Sequence, residues 1–182
     1  MKKLMVISDI HGSIGQLKKA IDIFDKGGYT SLVILGDLYY HGPRNPLPEK
    51  YSPKECYELL NQYKDKIYCV KGNCDSEVDQ MVSEFKLNDS LSLSFNDITI
   101  YCDHGHKYGP DNPPKGLYNV YLFGHYHVIH HRLHKGMYLL SPGSISLPKD
   151  DNYAYLSICE NGEVKFNDIN TNELIFELNI LH

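Results

Sequence analysis

Apolar residues in this chain come mostly in short runs that stop abruptly at polar or glycine-containing segments. Residues 2–8 read as a buried strand. Over 13–26 the spacing changes: Ile14, Leu17, Ile21 and Phe24 recur at helical intervals, and Gly27-Gly28 supplies the stop. A second buried strand follows at 31–35. Strand, helix and strand in such close succession form a βαβ unit, which implies a parallel pair. Pro43, Pro46, Pro48 and Pro53 then mark a long irregular loop. Ser52-Pro53-Lys54-Glu55 predicts a helix start, with Ser52 as cap, and the helix is expected to run to about residue 64. A strand at 67–70 and a short helix at 77–82 complete the first half.

The second half changes character. Strands at 91–95 and 98–101 flank the turn-forming pair Asn96-Asp97. Further strands are predicted at 120–123, 128–133, 137–140, 153–159, 164–168 and 174–179, with Glu160-Asn161-Gly162-Glu163 as a turn. The shift from βα units to a strand-rich half predicts an α/β fold, a two-sheet β-sandwich flanked by helices. No repeat or linker interrupts it, and 182 residues suit a single domain spanning 1–182.

Five of the apolar runs end in side chains that bind divalent metals. They lead into Asp9-Ile10-His11, Gly36-Asp37, Gly72-Asn73-Cys74-Asp75, His104-Gly105-His106 and Gly124-His125-Tyr126-His127. A lone Asp at a strand end is commonly a turn or cap residue. Five such endings, drawn from carboxylate, amide and imidazole, point to one site where neighbouring strands end. Side chains two apart in a strand share a side, so Asp9 and His11 are expected to serve one metal together. His125 and His127 have the same spacing but lie past a strand end, free to face different metals. Asp37 has two oxygens and can bridge two ions about 3.5–4 Å apart. Asn73 offers a neutral amide oxygen, and Gly72 permits a tight turn before it.

Composition narrows the chemistry. At 42% hydrophobic and 23% charged, the chain is not of the disordered class. No apolar stretch approaches the roughly 20 residues of a membrane span. The start, Met1-Lys2-Lys3, has the outline of a signal peptide, but Asp9 and His11 interrupt the apolar run at once, so the expected compartment is the cytoplasm. Five cysteines without a C-x-x-C pair fit reduced thiols. A net charge of −5 and no basic run argue against long nucleic acid as a partner. Two divalent cations set against Asp9 and Asp37 would still leave positive charge suited to a phosphodiester monoanion. The mixed oxygen and nitrogen donors suit manganese, iron, cobalt, nickel or zinc better than magnesium or calcium.

These motifs in this order, with His41-Gly42-Pro43-Arg44-Asn45 and Pro142-Gly143-Ser144, resemble the calcineurin-like metallophosphoesterases over nearly the whole chain, in particular their small bacterial phosphodiesterase branch. The resemblance implies the four-layer αββα form of the sandwich. It implies one metal held by Asp9, His11, Asp37 and His127 and a second held by Asp37, Asn73, His104 and His125, with manganese the usual ion. It further implies a phosphoric diester hydrolase that attacks small phosphodiesters with a hydroxide bridging the two metals. Asp37, Asn73 and Cys74 are then the catalytic candidates, and Arg44, Cys74 and His41 the substrate contacts. Many relatives carry histidine at the position of Cys74. Cysteine holds no stable positive charge and protonates an alkoxide poorly, so weak action on phosphomonoesters is expected. Asp103 and Tyr126 are smaller departures that leave the ligands untouched. A nucleotide phosphatase or pyrophosphatase with the same metals is the alternative enzyme. A non-catalytic protein-binding scaffold of the same fold is the alternative outside enzymology, although every ligand position is filled here.

The remaining candidates are open to two readings. His41 and His106 support the site or are hydrogen-bonded loop residues. Arg44 grips phosphate or is a solvated surface arginine. His130, His131 and His134 read as a surface or interface tract. Cys56, Cys69, Cys102 and Cys159 read as core fillers. Among the 15 tyrosines, Tyr39 and Tyr40 are candidates to stack a nucleoside, against core packing. A homo-oligomer is compatible with the strand-rich half.

Overall fold

The chain builds two sheets and packs them face to face. In the computed structural model, which describes residues 1–181, the first half runs β1 (Lys3–Ile7), α1 (Ile14–Lys26), β2 (Ser31–Ile34), α2 (Pro53–Asn61), β3 (Ile67–Val70), α3 (Glu77–Val82) and β4 (Leu87–Asn88). The second half runs β5 (Leu91–Phe95), β6 (Ile98–Cys102), β7 (Val120–Leu122), β8 (Ile129–His134), β9 (Met137–Pro142), β10 (Ala154–Cys159), β11 (Glu163–Asp168) and β12 (Leu174–Asn179). One sheet has the order β12-β11-β10-β1-β2-β3-β4 and the other β5-β6-β7-β9-β8. β1 to β4 are mutually parallel, as are β6, β7 and β9.

Alternation along the strands sorts side chains into layers. Leu4, Val6, Val33, Leu35 and Val70 from the first sheet meet Ile98, Ile100, Cys102, Val120, Leu122 and Leu140 from the second, forming the inner core. Their neighbours Met5, Ile7, Leu32 and Ile34 face outward, where Leu17, Ala20, Ile21 and Phe24 of α1 and Cys56 and Leu60 of α2 cover them. The 3.6-residue spacing of α1 thus finds its sheet. On the far side, Tyr121, Phe123, Met137 and Leu139 form a third cluster, with Tyr101 and Tyr118 packed on it. The expected two-sheet sandwich flanked by helices is present. Irregular chain between β6 and β7, carrying Tyr108 and Tyr118, packs on Tyr101 over the outer face of the second sheet.

Local expectations differ in three places. α2 ends at Asn61, and a separate 3₁₀ turn occupies Lys64–Lys66. Ser52 makes no side-chain cap bond. The reciprocal capping box belongs instead to α3, where Ser76 and Asp79 satisfy each other's backbone N–H groups. The Pro-rich loop is held down rather than loose: Ser13 Oγ donates to the Glu49 carbonyl at 3.0 Å and Ser52 N–H to the Gly12 carbonyl at 2.8 Å.

Leu122 is fully buried between the sheets. Leu122→Ala is expected to destabilise the protein by about 2–5 kcal/mol, through lost transfer energy plus a cavity. Guanidinium denaturation checks this, and a loss below about 1 kcal/mol would contradict the packing described.

Candidate metal centre

The ends of β1, β2 and β3 in one sheet and of β6 and β7 in the other open onto the same end of the sandwich, where Asp9, His11, Asp37, Asn73, His104, His125 and His127 meet. The backbone gets there by turning sharply. Asp9, His11, Asp37, His125 and His127 have φ of 53°, 48°, 54°, 70° and 60°. These are five of the ten non-glycine residues in that region among the described residues. The left-handed conformation costs a side-chain-bearing residue roughly 1–2 kcal/mol. Its concentration here marks strain held by the surroundings. Asp9 and His11 therefore do not share a strand face as expected. Both lie beyond β1, and their N–H groups donate to the carbonyls of Gly36 and Asp37 at 3.1 and 2.9 Å. That lock joins the first two turns.

Close backbone approach makes two glycines obligatory. A Cβ on Gly72 would lie 2.1 Å from Asp37 Oδ1, and one on Gly124 would lie 2.0 Å from Ser8 Oγ. The carboxylate of Asp75 then ties two turns together. It accepts the N–H groups of Asp37 and Leu38 at 2.8 Å each and of Gly72 at 2.7 Å. Burial pushes the Asp75 carboxyl up to about 6 despite those three donors. Ser144 and Ser146 donate to the Asp9 carbonyl at 2.7 and 3.0 Å, fixing the first turn from the loop after β9.

The imidazoles are aimed by their second nitrogen. Nδ1 of His11, His104 and His127 donates to the carbonyls of Tyr40, Leu35 and Leu147 at 2.8, 2.6 and 2.8 Å. Each Nε2 is thereby turned inward. His11 Nε2 and His127 Nε2 are 3.1 Å apart, and they lie 3.7 and 3.1 Å from Asp9 Oδ1. Asp37 Oδ2 lies 3.7 Å from His11 Nε2 and 3.3 Å from His104 Nε2, between the two imidazoles. Asn73 Oδ1 is 3.1 Å from His104 Nε2 and 2.7 Å from His125 Nδ1. Ligand atoms of Asp9, His11 and His127, and of Asp9, Asp37 and His104, fall within 4.8 Å of one another.

Divalent cations suit this donor set. Asp9 Oδ1 is a buried carboxylate oxygen without a hydrogen bond, an orphan that a cation would satisfy. Burial opposes ionisation of Asp9, but the His11 and His127 rings beside it hold the carboxyl well below the usual carboxylate range. Burial likewise disfavours a charged His104, yet the Asp37 carboxylate raises it to about 9. Without metal, protons on imidazole balance the carboxylates.

Beside the cluster lies a groove of about 670 Å³ lined by Tyr40, Arg44, Cys74, Tyr126 and Lys149, among others. Arg44 and Cys74 thus reach it. His41 does not: its ring packs edge-on against Tyr40 and Tyr51, and its carbonyl accepts Asn45 Nδ2 at 2.8 Å, so it supports the loop. Cys74 donates its N–H to Asp37 Oδ1 at 2.8 Å, and burial pushes its thiol up to about 12. Tyr39 is buried, with its hydroxyl 2.7 Å from Ser83 Oγ, whereas Tyr40 is 42% exposed. His106 is exposed beside His104 and His125. His130 packs on Phe123 and His131 stacks on Phe176, away from the cluster. Lys149 and Ser146 were not singled out from the sequence, and Ser144 entered only within the motif Pro142-Gly143-Ser144, without its role of bonding the Asp9 carbonyl.

A sandwich of this topology with carboxylates, imidazoles and one amide gathered at its strand ends defines a phosphoesterase that uses divalent metal. The chain belongs to the calcineurin-like phosphoesterase superfamily, whose domain model matches residues 1–161. It is 37% identical over 182 residues to phosphodiesterase YfcE of Escherichia coli K12, covering 99% of each chain. The YfcE structure superposes with a TM-score of 0.93 at 36% identity, covering 98% of this chain and 99% of that one. Probable metallophosphoesterase YsnB of Bacillus subtilis is 28% identical over 184 residues, 94% of each. A Vps29 from Entamoeba histolytica complexed with zinc shares the fold alone, at 18% identity and a TM-score of 0.65 over 98% of this chain and 99% of that one. Among the described residues no helix is long and apolar enough to cross a membrane.

Two predictions follow from the geometry. Raised to about 9 from an ordinary 6.5, His104 contributes stability to the metal-free protein that is full below pH 6.5 and lost as pH rises through about 9. A metal requires the neutral ring. Metal binding near pH 7.5 is therefore expected to release a proton, and the release to vanish above about pH 9. Calorimetry in buffers of different ionisation enthalpy measures it, and binding without proton release at pH 7.5 would contradict the pairing. Asp75→Asn replaces an acceptor of three N–H groups with an amide that has one acceptor oxygen. Metal affinity is expected to fall about 10–100-fold with the circular dichroism spectrum retained, and unchanged affinity would remove Asp75 from this role.

Proposed function

We propose that the chain is a phosphodiesterase that hydrolyses small phosphodiesters with two divalent metal ions, most often manganese. One observation carries this reading: Asp37 places one oxygen between His11 on the Asp9 side and His104 on the Asn73 side. Asp9, His11, Asp37 and His127 would hold one ion, and Asp37, Asn73, His104 and His125 the other. The mixed donor set favours manganese or a later transition ion over magnesium. When bound, the ions supply Lewis acidity for water and for the phosphoryl oxygens. The identity with YfcE supports the diester class, and the filled donor set argues against a scaffold role. The chain is read as one domain, and its five free cysteines suit the cytoplasm.

The chain's own residues do the rest. The imidazoles of His11, His104 and His127 are held by backbone carbonyls, so these three need reorganise little when substrate arrives. The Cys74 N–H orients Asp37, and Arg44 is placed in the groove to hold a phosphoryl oxygen. Cys74 presents a neutral thiol where an acid would stand, so the leaving oxygen departs without strong protonation. That favours diesters with good leaving groups.

With added manganese, hydrolysis of bis-p-nitrophenyl phosphate is expected, and Asp37→Ala and Asn73→Ala are each expected to lower it at least ~100-fold. Metal binding without turnover on a broad diester panel would defeat the reading. Cys74→His is expected to raise kcat on phenyl relative to p-nitrophenyl diesters by about tenfold or more, since a positioned acid contributes roughly 10²–10⁴. An unchanged ratio would show that position 74 does not protonate the leaving group.

A further inference from the structure

The groove beside the metal cluster carries more positive charge than one phosphodiester needs. Among the described residues the only acid lining it is Asp37, which the metals would occupy. Arg44 enters from the loop after β2 and Lys149 from the loop after β9. Neither forms an ion pair among the described residues. Lys149 is not placed at random. Its N–H donates to the His127 carbonyl at 2.8 Å, and His127 Nδ1 in turn donates to the Leu147 carbonyl at 2.8 Å. The segment that carries Lys149 is therefore clamped to a candidate ligand. The neighbouring acid Asp150 is turned elsewhere: its Oδ2 accepts the Ile129 N–H at 2.7 Å and its Oδ1 the Asn152 N–H at 3.2 Å. Lys149 thus lines the groove without an ion-pair partner among the described residues.

Two rings share the groove with the cations. Tyr40 is 42% exposed and Tyr126 is 40% exposed, each next to or near a candidate ligand. Tyr126 is braced edge-on against His125 and Phe123, which fixes a partly exposed ring at the groove where a flat apolar group can pack. A volume of about 670 Å³ is ample for a nucleoside and two phosphates.

Resting on the phosphodiesterase reading above, we propose that the groove selects nucleoside phosphodiesters carrying a second phosphate, with Lys149 the residue that reads the extra anion. Arg44 holds the reacting phosphate, Lys149 the second one, and a tyrosine ring the base. In the reaction, water adds to phosphorus, the bond to the leaving oxygen breaks, and the second phosphate is untouched.

The test compares three diesters with the same p-nitrophenol leaving group, all assayed with manganese. They are bis-p-nitrophenyl phosphate, the thymidine 5′-(p-nitrophenyl phosphate), and the same nucleoside diester carrying a 3′-phosphate. The 3′-phosphorylated compound is expected to exceed the unphosphorylated nucleoside diester in kcat/KM by about fivefold, the scale of an exposed ion pair. That ratio is expected to shrink with added salt. In Lys149→Met the ratio should fall towards one, carried by KM rather than kcat, and Lys149→Arg should restore most of it. Turnover of all three without preference, or a ratio unchanged in Lys149→Met, overturns the inference alone. No turnover of any of them overturns the phosphodiesterase reading and this inference with it.

Discussion

Two buried carboxylates, Asp9 and Asp37, sit close enough for the charge of one to oppose ionisation of the other. Such a pair persists only if positive charge lies between or beside them. The surroundings supply it as imidazoles whose outer nitrogens are tied to backbone carbonyls and whose inner nitrogens face the carboxylates. In the metal-free protein a proton serves, and His104 is correspondingly more basic. A divalent cation would do the same task with more charge. The site is therefore a charge-balancing problem that metal solves better than protons do, which is the basis for reading it as a metal centre.

Holding those charges in place demands a rigid frame and a contorted backbone at once. The frame is the double sheet, with fully buried Val6, Val33, Ile100 and Leu122 between its halves. Contortion is confined to the first residues past the strands, where left-handed turns would relax if left alone. They are overdetermined instead. Asp75 collects three backbone N–H groups, two serines grip the Asp9 carbonyl, and glycines allow chains to touch where any side chain would clash. Strain at the ligands and close packing behind them are two sides of one arrangement.

The sequence made much of this legible because both its signals are periodic or local. Alternating apolar residues in β6 and β7 and the 3.6-residue spacing of α1 announced their faces, and ligand-type residues directly after the runs announced the site. What escaped is non-periodic. The reason Asp9 and His11 act together lies in two left-handed turns, not in strand alternation, and no pattern encodes φ for Asp or His. β4 is two residues long and exists only because β3 offers an edge. The irregular path between β6 and β7 follows from Gly109, Pro110, Pro113, Pro114 and Gly116 in its middle. His41 was drawn toward the substrate by its neighbours Gly42, Pro43 and Arg44, but its ring found better partners in Tyr40 and Tyr51. Lys149 carried no local signal at all, since its importance comes from a hydrogen bond to a residue 22 positions earlier.

The division between what was legible and what was not follows a physical division within the site. The candidate ligands stand at strand ends, where buried backbone contacts hold them and the fold dictates which residues arrive. The selectivity proposed above falls to rim residues, Tyr40, Arg44, Tyr126 and Lys149, which sit on loops at the groove. A shared fold does not by itself fix what the site binds, and the likeness to Vps29 is one of fold alone. Substitutions at exposed rim positions cost little stability, whereas substitutions at the left-handed turns release the strain that aims the candidate ligands.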